Sequence, residues 1–178
     1  MRLPATLPPE SLTVIVDTRE QCPLDLSPLL TERGTLTTGD YSVKGLERVV
    51  AIERKSLGDL ISCVGRERAR FDREVDRLLA YPVRCLVVES TWAAMELGDW
   101  RGKITPRQVE GSVIGWMARG LPIAMVGSHA RAGKFVSSIL YTAARRRYQE
   151  ARIFVSGLAG SAENGYRESP RINAEASP

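Results

Sequence analysis

The 178-residue sequence has few of the side chains on which several classes of protein depend. Its three cysteines, Cys22, Cys63 and Cys85, show no metal-ligand spacing, which argues against a disulfide scaffold and is typical of a reduced compartment. The single histidine, His129, leaves little scope for imidazole catalysis or a zinc site, and we expect an ordinary loop residue there. No apolar run approaches the roughly 20 residues of a membrane helix, and Arg2 precedes no signal-peptide-like segment.

The composition and charge are those of a soluble globular protein. Hydrophobic residues make up 43% and charged residues 26% of the chain, enough for an ordinary core. The 25 lysines and arginines exceed the 21 acidic residues, and the net charge of +4 favours a polyanionic partner only modestly. We expect a soluble protein that is not secreted and has no membrane partner, cytoplasmic in a prokaryote or phage and nuclear in a eukaryote.

The hydrophobic pattern alternates between short β-branched runs and longer helical stretches. Strands are predicted for segments 12–16, 35–43, 48–55, 84–89 and 121–126. Helices are predicted for segments 23–30, 66–80, 105–120 and 132–149, the third from its Thr105-Pro106-Arg107-Gln108 capping box. This alternation predicts an α/β fold in which a central mixed β-sheet is flanked by helices.

A carboxylate–lysine cluster is predicted at the hairpin formed by segments 35–43 and 48–55. Asp40 lies on the first arm, and Glu53 and Lys55 lie on the second, where the alternation of side chains places them on one face. Taken singly, each acidic residue could be a turn residue or a solvated charge at a strand end. Together, two carboxylates and an ammonium on one face suit a hard metal ion better than a core.

The residue types of this cluster match the chemistry of phosphodiester hydrolysis. Mg²⁺ prefers oxygen ligands and is typically held by one or two carboxylates together with substrate phosphates. Water bound to the ion loses its proton more readily, and the ion neutralises charge on the phosphate in the transition state. A neighbouring lysine can stabilise the hydroxide or the developing charge. We therefore predict Mg²⁺ as the cofactor and expect Mn²⁺ to substitute for it.

A longer ordered set of motifs makes the cluster specific. It comprises Val16-Asp17-Thr18-Arg19-Glu20, Gly39-Asp40-Tyr41, Glu53-Arg54-Lys55-Ser56-Leu57-Gly58-Asp59 and Phe71-Asp72-Arg73-Glu74-Val75-Asp76-Arg77-Leu78. Over roughly residues 12–147 the chain resembles the XPF-type, or ERCC4-like, structure-specific endonuclease domain. The resemblance implies a restriction-endonuclease-like core at 11–156, and the composition predicts an irregular, proline-containing lead-in at 1–10 and a flexible tail at 157–178.

The resemblance also implies roles for individual residues. Asp40 and Glu53 would bind the metal, and Lys55 would serve the attacking water. Asp17 would be a further carboxylate of the site, bound directly or through water, and the main-chain carbonyl of Arg54 would face the metal. The residues that match supporting or flanking positions are Arg19, Glu20 and Asp59. For Asp59, a helix N-cap or salt-bridge role is at least as well supported as a catalytic one.

Four arginines follow helical spacing beyond this cluster. They are Arg66, Arg70, Arg73 and Arg77, and acidic neighbours three or four positions away could pair with them. We predict contacts with DNA phosphates for Arg66, Arg70 and Arg73. Arg66 is the strongest candidate, because it matches the family motif and lies nearest in sequence to the Glu-Arg-Lys segment.

The function implied by the resemblance is metal-dependent endonuclease cleavage of branched, flap or junction DNA in repair, recombination or replication. One alternative is a non-catalytic DNA-binding partner subunit, although such subunits of the family have lost the Glu-Arg-Lys set. Another is a nuclease of the same fold that acts on other DNA or on RNA. Family members commonly carry a tandem helix-hairpin-helix domain, for which the segment after Gly157 is too short, so we expect a homodimer or a separate DNA-binding partner.

Overall fold

The apolar runs of the sequence form the strands of one six-stranded sheet. The computed structural model describes residues 4–164. The strands are β1 (Thr13–Asp17), β2 (Leu30–Gly34), β3 (Tyr41–Val43), β4 (Val50–Ser56), β5 (Val83–Glu89) and β6 (Ile123–Met125), in the order β2-β1-β3-β4-β5-β6. Strand β3 is antiparallel to β1 and β4, whereas the other three pairs are parallel. The sheet is therefore mixed, as predicted.

Helices cover both faces of this sheet. They are α1 (Leu57–Val64), α2 (Arg68–Leu79), α3 (Trp92–Leu97), α4 (Pro106–Ala118) and α5 (His129–Asn164). Helix α5 packs on one face through the apolar stripe Ala132, Val136, Leu140 and Ala144. Helices α1, α2 and α4 pack on the other face through residues that include Leu60, Val75 and Val113. Burial of these side chains is the main driving force for the two-layered core.

Strand β4 lies in the centre of the sheet and contributes to both cores. Ala51 packs with the side chains of α1, α2 and α4, whereas its neighbour Ile52 packs on the side covered by α5. Because side chains alternate along a strand, Glu53 and Lys55 lie on the face of Ala51, and Arg54 lies on the face of Ile52. The motif Glu53-Arg54-Lys55 is thus divided between the two faces of the sheet.

Two of the predicted segments near the N-terminus are wrong in type or length. Segment 23–30 is not helical, because Pro28 cannot donate the hydrogen bond that a helix interior needs. Its leucines at 24, 26 and 29 nevertheless reach the core from an irregular loop, and the following residues form the edge strand β2. The predicted strand 35–43 is a strand only at Tyr41–Val43.

The helices also differ from their predicted bounds. Helix α2 begins at Arg68, so Arg66 lies in the preceding turn, and helices α1 and α3 were not predicted. Helix α5 extends to Asn164, so residues 157–164 of the predicted tail are helical, whereas 165–178 lie outside the described residues. The predicted capping box of α4 is confirmed. None of the helices within 4–164 is both long enough and apolar enough to cross a membrane.

Candidate active site

The β3–β4 hairpin brings Asp40 beside the Glu53-Arg54-Lys55 segment. Asp40 lies one residue before β3, and its N–H donates a hydrogen bond to the Ile52 carbonyl over 2.8 Å. The preceding Gly39 has a φ of +79°, and a Cβ atom there would lie 2.9 Å from the Ile52 carbonyl oxygen. Only glycine combines this backbone conformation with so close an approach. The Gly-Asp pair is therefore required by the packing of the two arms.

Two carboxylates share one ammonium at this hairpin. Lys55 Nζ donates a hydrogen bond to Glu53 Oε1, and it lies 3.4 Å from the Arg54 carbonyl oxygen and 5.5 Å from the centre of the Phe71 ring. Asp40 Oδ2 accepts a hydrogen bond from the Arg54 N–H over 2.8 Å. Glu53 is only 6% exposed, so little water is available to solvate its charge. The predicted trio of Asp40, Glu53 and Lys55 is brought together.

The crowding of these charges shifts their pKa values. Burial, together with the charge of Asp40, raises the pKa of Glu53 to about 7, and the attraction of Lys55 offsets this only in part. Burial likewise raises the pKa of Asp40, against the opposing effect of Lys55. Burial acts to lower the pKa of Lys55, but the Glu53 and Asp40 carboxylates outweigh it, and the net shift is upward. Lys55 is therefore held as an ammonium, and its one positive charge does not balance the two carboxylates beside it.

The donor atoms at this position suit a hard divalent cation. The Asp40 and Glu53 carboxylates and the Arg54 carbonyl offer oxygen only, which is the preference of Mg²⁺ and Mn²⁺. Among residues 4–164, no three Asp, Glu, His or Cys side chains form a ligand cluster, so a cation here would need water or a phosphate as well. A cavity of about 40 Å³ lined by Glu53, Lys55, Arg70, Phe71 and Glu74 has room for water. The residues fit the predicted cofactor.

Asp17 lies beside this trio, but its carboxylate is engaged elsewhere. Its N–H donates to the Asp40 carbonyl over 2.9 Å, while its side-chain oxygens accept hydrogen bonds from Arg19 Nε (2.6 Å) and from the Arg19 and Leu36 N–H groups (2.8 and 2.7 Å). Burial would raise the pKa of Asp17, but these hydrogen bonds outweigh it and lower the pKa. As a metal ligand, which stays a prediction, Asp17 would have to exchange one of these partners.

A second charged cluster occupies the opposite face of β4. The Arg54 guanidinium makes two hydrogen bonds to Glu89 (2.8 and 2.7 Å) and lies 3.7 Å from Glu20 Oε1. His129 Nδ1 lies 2.7 Å from Glu89 Oε1, so the histidine begins α5 as a partner of Glu89 and is not an ordinary loop residue. Burial tends to raise the pKa of Glu89, but Arg54 and His129 outweigh it and lower the pKa. Tyr41 Oη lies 3.4 Å from Glu20 Oε2.

Asp59 stabilises the start of α1. The Ser56 hydroxyl, at the N-cap, accepts a hydrogen bond from the Asp59 N–H (3.1 Å) and donates one to Asp59 Oδ2 (2.7 Å). This reciprocal pattern fixes the helix directly after the Glu-Arg-Lys segment. Asp59 is therefore part of the helix cap as its third residue, whereas the N-cap itself is Ser56.

Basic side chains border the trio along α1 and α2. A pocket of about 330 Å³ is lined by Lys55, Asp59, Ser62, Cys63, Arg66, Glu67 and Arg70. Arg70 pairs with Glu67 over 2.7 Å and Arg77 pairs with Glu74, whereas the side chains of Arg66 and Arg73 form no hydrogen bond or ion pair with any described residue. Arg66 and Arg70 thus lie at the site, while Arg73 is exposed and lines neither this pocket nor the cavity beside Glu53. Contacts of all three with DNA stay a prediction.

Sequence reasoning missed Glu89, Phe71 and Glu74 as neighbours of the site. A signal for Glu89 was available, because it ends a strand parallel to β4 and the carboxyl ends of parallel strands meet at one edge of a sheet. Phe71 and Glu74 had a weaker signal. Their approach to Lys55 and Glu53 depends on how α2 crosses the sheet, which periodicity does not specify.

Comparison with known proteins agrees with this fold. The chain resembles XPF from Aeropyrum pernix at a TM-score of 0.61 and 18% identity, covering 93% of this chain and 69% of that one. The structure of XPF from Aeropyrum pernix in complex with DNA matches at a TM-score of 0.59 and 18% identity, covering 76% and 66%. No curated protein matches the chain. A model of the ERCC4 domain matches residues 16–139, more than half of the chain, and the chain therefore belongs to the ERCC4 domain family.

Proposed function

We propose that this chain is a metal-dependent DNA endonuclease that hydrolyses phosphodiester bonds in branched, flap or junction DNA. The observation that carries the proposal is the placement of Asp40, Glu53 and Lys55 on one face, with the pKa of both carboxylates raised. Perturbed carboxylates in a partly open site are typical of functional positions. Membership of the ERCC4 domain family and the similarity to XPF from Aeropyrum pernix in complex with DNA support DNA as the substrate.

The chain's own groups divide the work between them. Asp40, Glu53 and the Arg54 carbonyl would hold a divalent cation, which when bound lowers the pKa of water and neutralises charge on the phosphate. In the metal-free chain the Glu53 and Asp40 carboxylates raise the pKa of Lys55, and the ammonium would donate a hydrogen bond to the attacking oxygen. Arg66 and Arg70 at the pocket rim would hold the flanking phosphates.

Cleavage assays on matched substrates test the proposal. We expect Mg²⁺ or Mn²⁺ to support cutting of labelled flap and fork DNA faster than of linear duplex, and EDTA to abolish it. Lys55→Ala should reduce the rate at least about 100-fold, because it removes charge aimed at the transition state. Lys44→Ala is the matched control, since the Lys44 side chain is exposed and, among the described residues, pairs with Glu32 alone.

Other outcomes identify the alternatives. Binding of branched DNA without cleavage in either metal would contradict the enzyme and support a non-catalytic DNA-binding subunit. Equal cutting of RNA or linear duplex would contradict the choice of substrate and leave the hydrolytic site in place. Sedimentation with and without DNA would show whether the chain acts as a homodimer, as expected if no separate DNA-binding partner is required. A branched-DNA nuclease would serve repair, recombination or replication.

A further inference from the structure

A second pocket adjoins the candidate active site. It has a volume of about 400 Å³ and lies between α1 and the loop that joins α3 to α4. Its lining consists of Ile61, Ser62, Gly65, Arg66, Trp100, Arg101, Gly102 and Ile104. Ser62 and Arg66 line both this pocket and the one that holds Lys55, so the two are neighbours. The volume is within the range of about 300–1,000 Å³ that small-molecule sites occupy.

The lining of this pocket combines apolar surface with positive charge and has no acidic side chain. Ile61, Trp100 and Ile104 are half-buried and pack against the core of α1, α2 and α4. The Trp100 ring is fixed by a hydrogen bond from its Nε1 to the Ile104 carbonyl over 2.8 Å. Arg66 and Arg101 are exposed and form no hydrogen bond or ion pair with the part of the chain that the structure describes. Both guanidinium groups are therefore available to an anion.

We propose that this pocket binds an unpaired nucleotide of the DNA strand next to the scissile phosphate. The inference rests on the proposed function and adds the recognition of single-stranded DNA at the junction. A duplex presents mainly phosphates and sugars outward, and it would leave the apolar lining without a partner. An unpaired base can bury its face against Trp100 and the isoleucines. Its flanking phosphates would meet Arg66, which also lines the Lys55 pocket, and Arg101, which does not.

Fluorescent DNA provides the test. The probes are a flap duplex with 2-aminopurine at successive single-stranded positions and a blunt duplex of the same sequence, both in Ca²⁺ to prevent cleavage. With the unmodified chain, we expect the 2-aminopurine emission to change at one probe position only. We expect Arg101→Gln to bind the flap duplex about fivefold more weakly and the blunt duplex with unaltered affinity. For the same variant, the slope of log affinity for the flap against log salt concentration should be less steep by about 0.7, because one phosphate contact is lost. Arg101→Lys should retain most of the affinity.

The control is Arg48→Gln, which removes the same charge from an exposed position before β4, at the end of that strand opposite Lys55. The proposal would be overturned if Arg101→Gln weakened binding of the flap and of the blunt duplex equally, and to the same extent as Arg48→Gln. Equal emission at every probe position would overturn it as well. Cleavage by the unmodified chain in Mg²⁺ is measured separately. If the unmodified chain cleaves DNA but shows no emission change that depends on Arg101, the nucleotide pocket is refuted and the proposed function is not. If it shows that emission change but does not cleave, the proposed function is refuted and the nucleotide pocket is not.

Discussion

The two faces of strand β4 carry charged clusters of opposite character. On one face, Asp40 and Glu53 share the single ammonium of Lys55, and burial raises the pKa of both acids. On the other face, Glu89 receives two hydrogen bonds from Arg54 and a contact from His129, and its pKa is lowered. Buried carboxylates with fixed cationic partners contribute to stability, whereas those short of positive charge are suited to bind a cation. The two clusters meet the sheet at the three consecutive residues Glu53-Arg54-Lys55, and they differ in whether their carboxylates have enough positive charge beside them.

Removing a carboxylate from the Lys55 face should have the largest effect on activity. We expect Asp40→Asn to reduce single-turnover cleavage at least about 100-fold, because it removes a metal-binding charge. Its stability should be unchanged or greater, since the variant relieves repulsion from Glu53 and can still accept the Arg54 N–H hydrogen bond. Cleavage rate and urea unfolding measure the two effects. Normal cleavage would refute the assignment, as would a loss of stability of several kcal/mol.

Removing a carboxylate from the Arg54 face should have the largest effect on stability. We expect Glu89→Ala to lower the free energy of unfolding by about 3 kcal/mol, because Glu20, at 3.7 Å, is then the one described carboxylate that pairs with the largely buried Arg54 guanidinium. Urea unfolding followed by circular dichroism measures the change. Glu89→Gln, which keeps a hydrogen-bond acceptor, should lose less. A loss below about 0.5 kcal/mol in Glu89→Ala, the range of ordinary surface changes, would show that this cluster is not structural.

The two faces should respond to pH with opposite sign. The pKa of Glu53 rises on folding from 4.5 to about 7, so the folded state binds more protons, and metal-free stability should fall as pH rises from about 4.5 to 7. The pKa of Glu89 is lowered, so its contribution is present above 4.5 and is lost as pH falls through the folded value. Thermal unfolding in EDTA should show that Glu53→Gln flattens the first dependence and Glu89→Gln the second. An unaltered profile in either variant would contradict the assigned shift.

An arginine at the rim should have the smallest effect on stability. Arg70 is well exposed and pairs with Glu67, so Arg70→Gln should change the free energy of unfolding by no more than about 0.5 kcal/mol. Because Arg70 lines the Lys55 pocket, the same variant should weaken duplex binding and reduce its salt slope by about 0.9. Arg77→Gln is the matched control, since Arg77 also pairs with a glutamate three residues before it but lies outside that pocket. Equal binding by the two variants would argue against a phosphate contact of Arg70.

The Lys55 face of β4 could be predicted because its signals are local. Alternation alone places Glu53 and Lys55 together, and the short turn at Lys44-Gly45 limits where Asp40 can pair. Helix α1, which was not predicted, also has a local signal in the sequence. Ser56 and Asp59 have the spacing of a capping pair, and Leu57, Leu60, Ile61 and Val64 follow helical spacing.

The edge strand and the opposite face had no comparable signal. Strand β2 is exposed and polar in sequence, and it follows a leucine-rich loop whose spacing imitates a helix. Glu20, Arg54, Glu89 and His129 come from four separate parts of the chain. Their contacts depend on where β5 and α5 lie against β4, which is a matter of packing between distant segments.

By itself, the sequence determined the α/β fold, the family and the three residues of the Lys55 face, because periodicity and ordered motifs depend on neighbouring positions. Only the tertiary structure decided that Asp17 is held by Arg19 and Leu36, and that His129 supports Glu89. It alone placed Trp100 and Arg101 beside the pocket of Lys55. The physical reason is that burial and long-range packing fix which charges meet, and those contacts set both the pKa values and the surface offered to a substrate.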